Sequence, residues 1–360
     1  MTLLLPLAGA LVAGLWGVPL SPSPPEAPAP PPLVVETRNP KLGLHTRLAD
    51  EPQAGRIVRT LEMVREMGAP WIVELFPWAY IEQAPVRFDW SHADFVISQA
   101  RQQGLHVIAR LDIVPAWARP AGSSTRYLDE ARYADYAAYA AAFAARYRGQ
   151  VLHIVVWNEP NIPLEWGGRP PNPLDYTRLL CTAYGAIKEA NPEAVVLAAG
   201  LAPNLESPQA GGAWDDLAYL QAMYEAGAGT CFDALAAHAY GWTKPFAQNP
   251  SPDRLNFRRV ELLRRIMERS GDAGKKVYIT EAGWNDHPRW LNAVRPAERI
   301  AYTLEALRWS ETQDWLAALC FWQFGMPWGG ASFQVYYNFV AVDFTPRPIY
   351  EEVQRYARGE

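Results

Sequence analysis

The sequence predicts one (β/α)8 barrel, and three observations carry that prediction. From Leu42 onward, short apolar runs alternate with amphipathic helical stretches, the pattern of a parallel α/β architecture. The alternation completes eight strand–helix units within one composition regime, with no internal repeat beyond the unit itself. The 360-residue chain could hold two average domains, but barrels of this length fold as one.

The strands are expected at Leu42–His45, Trp71–Leu75, Leu105–Leu111, Leu152–Trp157, Ala194–Ala199, Ala234–Ala237, Val277–Thr280 and Leu316–Trp322. The helices between them are expected near Ala54–Met67, Ser91–Gln103, Glu130–Tyr147, Leu174–Ala190, Asp215–Ala226, Asp253–Ser270, Pro296–Ser310 and Ile349–Ala357. Start signals support these boundaries: Asp89-Trp90-Ser91 precedes the second helix and Pro296 opens the seventh.

The N-terminus is a separate object. Leu3–Leu20 is apolar and uncharged, and the Pro-rich run from Ser21 to Pro32 reads as an extended spacer. The first run is marginal for crossing a bilayer, which takes about 20 residues, and adequate for a signal peptide. The expected organisation is therefore a signal peptide or membrane anchor over 1–20, a linker over 21–34 and the barrel over 35–360. It implies a secreted or extracytoplasmic protein, cleaved or tethered at its N-terminus. No cysteine follows the apolar run, so a lipoprotein anchor is not supported.

Bulk composition narrows the function classes. The chain is 49% hydrophobic and 20% charged, with a formal net charge of −5 and no Lys/Arg block, which argues against a nucleic-acid partner. Cys181, Cys231 and Cys320 show no metal-ligand spacing and read as buried small hydrophobes. The six histidines form no His-x-His strand pair, and no phosphate-cradling or dinucleotide motif is present. No metal and no organic cofactor are expected.

Two short segments carry the chemistry. Trp157-Asn158-Glu159-Pro160 closes the apolar run Val151–Val156, and Thr280-Glu281-Ala282-Gly283 closes Lys276–Ile279. A residue before proline is pushed out of helical space, so Glu159 is expected to be extended at a strand's last position. In a barrel of this kind, sites form at the C-terminal ends of the strands. The fourth and seventh strands are not neighbours, so the two carboxyls can face each other across the mouth. Cleaving a glycosidic bond needs such a pair, one neutral to protonate the leaving group and one ionised beside the anomeric carbon.

Further segments fit the same picture: Trp78-x-x-Ile81-Glu82 with Phe88-Asp89-Trp90, Gly104-Leu105 with Pro115-x-Trp117-Ala118, His238-x-Tyr240, Phe321-Trp322, and Thr345-Pro-Arg-Pro348-Ile-Tyr350. Together with the two glutamate motifs they resemble the clan-A glycoside hydrolases, retaining (β/α)8 enzymes. The likeness is strongest to families 39 and 5, which are xylosidase-like and cellulase-like. Three positions depart from it: Trp71-Ile72-Val73-Glu74 lacks the arginine often found there, Gln83 replaces a proline and Val86 a glycine. The resemblance implies that Glu159 is the general acid/base and Glu281 the nucleophile, with carboxyls about 5–5.5 Å apart. It also implies that Asn158 donates to the sugar 2-OH.

Around that pair, Tyr240 could bond Glu281 and keep it ionised, and His238, on the same strand face, could orient a substrate hydroxyl. His45 closes the first strand and could reach the mouth. Trp322 is the first choice for a sugar-stacking platform, and Trp117 and Trp284 are further substrate-binding candidates. Trp78, Trp166, Trp242, Trp290 and Trp328 also lie at or beyond strand ends. Glu74 and Asp112 are strand-embedded acids, with Arg110 a candidate partner for Glu74. The expected partner is a β-linked carbohydrate, acted on by a monomer. Transglycosylation by the same residues and a catalytically inactive carbohydrate-binding barrel are the rival readings.

Overall fold

The computed structural model describes residues 31–207, 212–327 and 332–360. The expected leader over 1–20, residues 21–30 of the linker and Trp328 lie outside the described residues. The unit from Pro32 to Glu360 is compact. Its strands are β1 (Leu42–His45), β2 (Trp71–Pro77), β3 (His106–Asp112), β4 (His153–Val156), β5 (Val195–Ala198), β6 (Ala234–Tyr240), β7 (Val277–Gly283) and β8 (Leu316–Phe321). They close into one barrel in which every neighbouring pair is parallel. A small antiparallel hairpin, Glu82–Ala84 with Arg87–Phe88, stands apart from it.

Strands buried on both faces are what a parallel sheet wrapped in helices requires. Inside the barrel, Val73, Ile108, Val155, Leu197, Ala236, Tyr278, Ala318 and Cys320 form a separate buried cluster. The alternation of side chains then carries the next inward positions up each strand. These are Arg110 and Asp112 on β3, His238 and Tyr240 on β6, and Trp322 just past β8. An apolar plug thus gives way to a polar layer at the C-terminal end of the barrel.

The main helices, Ala54–Glu66, Ser91–Gln102, Tyr133–Arg146, Pro173–Ala190, Asp216–Glu225, Val260–Arg269, Pro296–Glu311 and Pro348–Arg358, follow the expected order. One expectation is overturned in detail: the helix expected over Asp253–Ser270 begins only at Val260, after a 3-10 turn at Phe257–Arg259. Side chains hold the preceding segment in a loop. Asn256 Nδ2 donates to the carbonyl of Asn249 at 2.9 Å, and Arg259 Nη1 donates to that of Pro252 at 2.8 Å.

The cysteine expectation fails for two of the three residues. Cys181, on the helix Pro173–Ala190, and Cys231, just before β6, form a disulfide across 50 residues of sequence. Their Cα atoms come within 4.8 Å because the helix Asp216–Glu225 and the 3-10 turn Ala228–Thr230 that follows it pack against the helix carrying Cys181. Cys320 is free and buried, as expected.

Candidate active site

The two glutamates reach the barrel mouth by different backbone devices. Along β7, Tyr278 faces inward, so simple alternation would next turn Thr280 inward. The register between β6 and β7 shifts instead: Ala237 pairs with Ile279, and His238 with Glu281. The extra residue in β7 re-aims Glu281 into the barrel opposite His238, the use to which bulges near functional sites are put. Both strands also run further than expected, to Tyr240 and Gly283, so these polar groups belong to the sheet itself.

Glu159 corrects the sequence expectation. β4 ends at Val156, and Glu159 sits beyond it at φ 39°, after Trp157 at φ 75°. The following proline does keep it out of the right-handed helical region. The position it takes is left-handed rather than extended, a conformation that costs an ordinary side chain energy and persists only when its surroundings enforce it. Those surroundings are visible: the Glu159 N–H donates to Gly200 O at 3.0 Å, and the Trp157 N–H to Leu111 O at 3.1 Å. Asn161 pins the same loop to the one after β5, donating to Ala202 O and accepting from the Ala202 N–H, both at 2.8 Å.

The result is a close cluster. A carboxylate oxygen of Glu159, one of Glu281 and a ring nitrogen of His238 lie within 4.8 Å of one another. Tyr240 donates from its hydroxyl to Glu281 Oε2 at 2.8 Å, as the sequence suggested. Arg110 Nη1 donates to Glu281 Oε1 at 2.9 Å and to Asn158 Oδ1 at 3.2 Å. Burial alone would raise the Glu281 carboxyl. His238, Arg110 and the Tyr240 hydroxyl outweigh it and hold Glu281 well below the ordinary carboxylate range, at about 2. Three donor atoms so placed could in principle ligate a metal. The Arg110 guanidinium already against Glu281 disfavours a second cation there.

Arg110 belongs to a longer chain of alternating charge. Its Nε lies 3.2 Å from Asp112 Oδ2, which lies 2.5 Å from Arg126 Nη1, and Arg126 Nε is 3.1 Å from Glu165 Oε2. Burial raises the Glu165 carboxyl against the opposing charge of Arg126, and neighbouring Glu159 and Asp112 raise it further. Sequence reasoning missed Arg126 and Glu165, which lie in loops without periodic signal. Arg110, the candidate partner for Glu74, instead meets Glu281 and Asp112. The signal was present: Arg110-Leu111-Asp112 puts both charges on one strand face, whereas Glu74 is odd-placed relative to inward-facing Val73. Glu74 points out of the barrel and accepts from the Leu48 and Ala49 N–H groups at 3.0 Å each and from the Thr46 hydroxyl.

An open cleft of roughly 960 Å³ covers this cluster, and Asn158, Glu159, Tyr240, Glu281 and Trp322 all line it. Trp242 and Trp290 contribute aromatic walls, and Arg126 and Glu165 a charged edge. Trp322 packs edge-on against Tyr337 with ring centres 5.3 Å apart.

Four sequence-predicted site residues do not line the cleft. His45 has no exposed surface. Its Nδ1 donates to Thr46 O at 2.8 Å, which leaves Nε2 as an acceptor 3.4 Å from Arg110 Nη1. Burial and the adjacent Arg110 push its pKa down to about 3, so it is a neutral brace beneath the site rather than a substrate contact. His238 is buried and bonds Glu159 Oε1 through Nδ1 at 2.7 Å, so its partner is the glutamate and not a substrate hydroxyl. Burial opposes charge on His238, but Glu281 and Glu159 raise its pKa above the ordinary value. Trp284 is buried, stacked on Phe257 at 5.1 Å with its indole N–H on Lys244 O. Trp117 packs edge-on against buried Trp78 and donates to Glu82 O, away from the cleft. Trp166 is buried as well. A residue's place after a strand fixes which end of the barrel it occupies, but not whether its ring turns to solvent or under a loop.

No family model and no curated protein sequence matches the chain. Solved structures do. The chain is 20% identical to a family 39 glycoside hydrolase from the gut symbiont Bacteroides cellulosilyticus, at TM-score 0.71 over 91% of this chain and 65% of that one. It is 18% identical to a monomeric β-xylosidase from Caulobacter crescentus, at TM-score 0.60 over 89% and 69%. It is 13% identical to xylanase 10B from Thermotoga maritima, at TM-score 0.55 over 88% and 94%. The chain thus spans about two thirds of the first two. At such identities the likeness is one of fold, a (β/α)8 barrel.

Proposed function

We propose that this chain is a retaining glycoside hydrolase acting on β-glycosidic bonds, with Glu281 as nucleophile and Glu159 as general acid/base. The observation that carries the reading is the unequal treatment of two facing carboxyls. Glu281 is held ionised by Arg110 and Tyr240, while Glu159 stands at the cleft on a single bond from His238. Oxygens of the pair within 4.8 Å of each other favour direct attack over a water-seating, inverting arrangement.

In the first step a Glu281 oxygen bonds to the anomeric carbon as the glycosidic C–O bond breaks, and Glu159 gives its proton to the departing oxygen. In the second, Glu159 takes a proton from water, whose oxygen bonds to the anomeric carbon and releases Glu281. Asn158, fixed by Arg110, is placed to bond a sugar hydroxyl beside the reacting carbon. Trp322 offers an aromatic face to the ring. The neighbouring structures named for xylosidase and xylanase activity make β-xylosides the first substrates to try. The disulfide supports export, because such bonds persist in oxidising compartments.

A 2-deoxy-2-fluoro glycosyl fluoride tests the assignment by trapping the intermediate. Peptide mass spectrometry should place the label on Glu281. A label on Glu159, Glu165 or Asp112 would overturn the nucleophile assignment, and turnover of aryl β-glycosides without any label would overturn the double displacement.

A further inference from the structure

The cleft over Glu159 and Glu281 does not end at its aromatic wall. Trp290 lines that cleft on one side and, on the other, a second open basin of roughly 890 Å³ formed by the loop after β7 and the start of the helix Pro296–Glu311. Trp242 stands beside it, ring centres 6.3 Å apart, and the next residue, Thr243, lines the second basin. The two hollows therefore share one aromatic partition, which Phe333 braces at 4.6 Å.

The chemistry of the second basin selects its ligand. Its charges are matched in place: Arg295 bonds Glu298 at 2.5 Å, and Asp286 bonds Arg299 at 3.1 Å. Each charged lining residue thus already faces an opposite charge, which disfavours a phosphate, a carboxylate or a cation as the ligand. The hydrogen-bonding groups are not all used. His287 Nδ1 accepts from the Arg289 N–H at 3.0 Å, which puts the ring proton on Nε2 and makes that nitrogen a donor. An aromatic plate with a ring N–H donor beside it suits a polyhydroxylated ring, whose C–H face stacks while its hydroxyls bond at the edge.

We infer that this basin is a second sugar subsite, continuous with the catalytic cleft across Trp290, which takes neutral sugar units of an oligosaccharide whose scissile bond lies between Glu159 and Glu281. The inference rests on the glycosidase reading and deepens it: the substrate is a neutral β-linked chain rather than a single glycoside. Trp290 is the shared stacking plate, and His287 a polar contact of the outer subsite. The paired charges favour a neutral chain over a polyanionic glycan.

The test uses the intact chain with 4-nitrophenyl β-xyloside, β-glucoside and β-mannoside beside β-1,4-linked xylo-, gluco- and manno-oligosaccharides of two to six units. In one of these series kcat/KM should rise tenfold or more with length. Ala293→Arg, which fills the basin from a position outside the cleft, should abolish that rise while leaving the shortest substrate within twofold. His287→Ala should reduce the rise at unchanged kcat. A flat length dependence with the shortest substrates still cleaved would overturn the inference and leave the glycosidase reading standing. So would an Ala293→Arg protein that keeps the full gain. Loss of activity on every length by Ala293→Arg, with its circular dichroism spectrum intact, would count against a separate subsite. No turnover of any member of any series would sink the glycosidase reading and the subsite together.

Discussion

Arg110 on β3 reaches across the barrel to donate a 2.9 Å hydrogen bond to Glu281 on β7, and both side chains are buried. A guanidinium in that position stabilises the ionised carboxyl twice, by charge and by directed hydrogen bonding. It also ties Glu281 to a chain of charge that ends at the cleft edge on Glu165. The fold thus sets the protonation state of Glu281 from residues that need not touch a substrate.

Replacing Arg110 by Gln removes one of the groups that hold Glu281 down. A charge-assisted bond of about 1.5–3 kcal/mol corresponds to a roughly 10- to 100-fold loss in kcat/KM. The acid limb of the pH–rate profile should move upward, since Glu281 must be ionised to attack. The unmodified protein carries the matching stability signature. The Glu281 carboxyl is lower in the folded state, about 2, than its unperturbed 4.5. Its contribution to folding is therefore full above about pH 4.5 and lost as the pH falls toward 2. An Arg110→Gln protein with an unmoved acid limb would contradict the coupling.

Replacing Glu159 by Ala should slow substrates with poor leaving groups far more than activated aryl glycosides, because acid assistance matters only for the former in the first step. The alkaline limb should vanish in the same variant. Equal loss across a leaving-group series, measured by initial rates, would remove Glu159 from the acid role.

Stereochemistry follows from the proximity of the two carboxyls. Proton NMR of fresh product should show the starting β configuration before mutarotation. In Glu281→Gly with azide, the product should instead be a glycosyl azide of inverted configuration. An α product from a β substrate in the unmodified chain would demand an inverting mechanism, whose carboxyls stand roughly 6.5–9.5 Å apart.

The disulfide makes a prediction independent of catalysis. Thiol titration of denatured, unreduced protein should find Cys320 alone, and reduction should release Cys181 and Cys231 as well. Replacing both by Ser should lower unfolding free energy by about 2–4 kcal/mol, read from urea melts, with kcat unchanged. Three titratable thiols without reductant would show that the bond does not form.

Particular residues show how much was legible beforehand. Tyr240 does meet Glu281, the hydrogen bond the sequence suggests, and His238-x-Tyr240 shares one strand face. The same strand alternation separates Arg110 from Glu74, for which it is a candidate partner. Trp284 and Trp117 were placed at the correct end of the barrel, but their rings turn under loops. The charge chain through Arg126 and Glu165 joins loops whose approach depends on folded geometry, so no local pattern announces it.

Local pattern along the chain is enough for the order of strands and helices, the closed parallel barrel and the end of it at which Glu159 and Glu281 emerge. Those follow from apolar periodicity and chain order, which are local and cumulative. Tertiary structure alone decided three things: the bulge that turns Glu281 inward, the left-handed turn that presents Glu159, and the meeting of Cys181 with Cys231. Each depends on contacts between segments distant in sequence. A one-residue shift in register, or a backbone conformation that only neighbouring loops enforce, leaves no periodic trace in the chain.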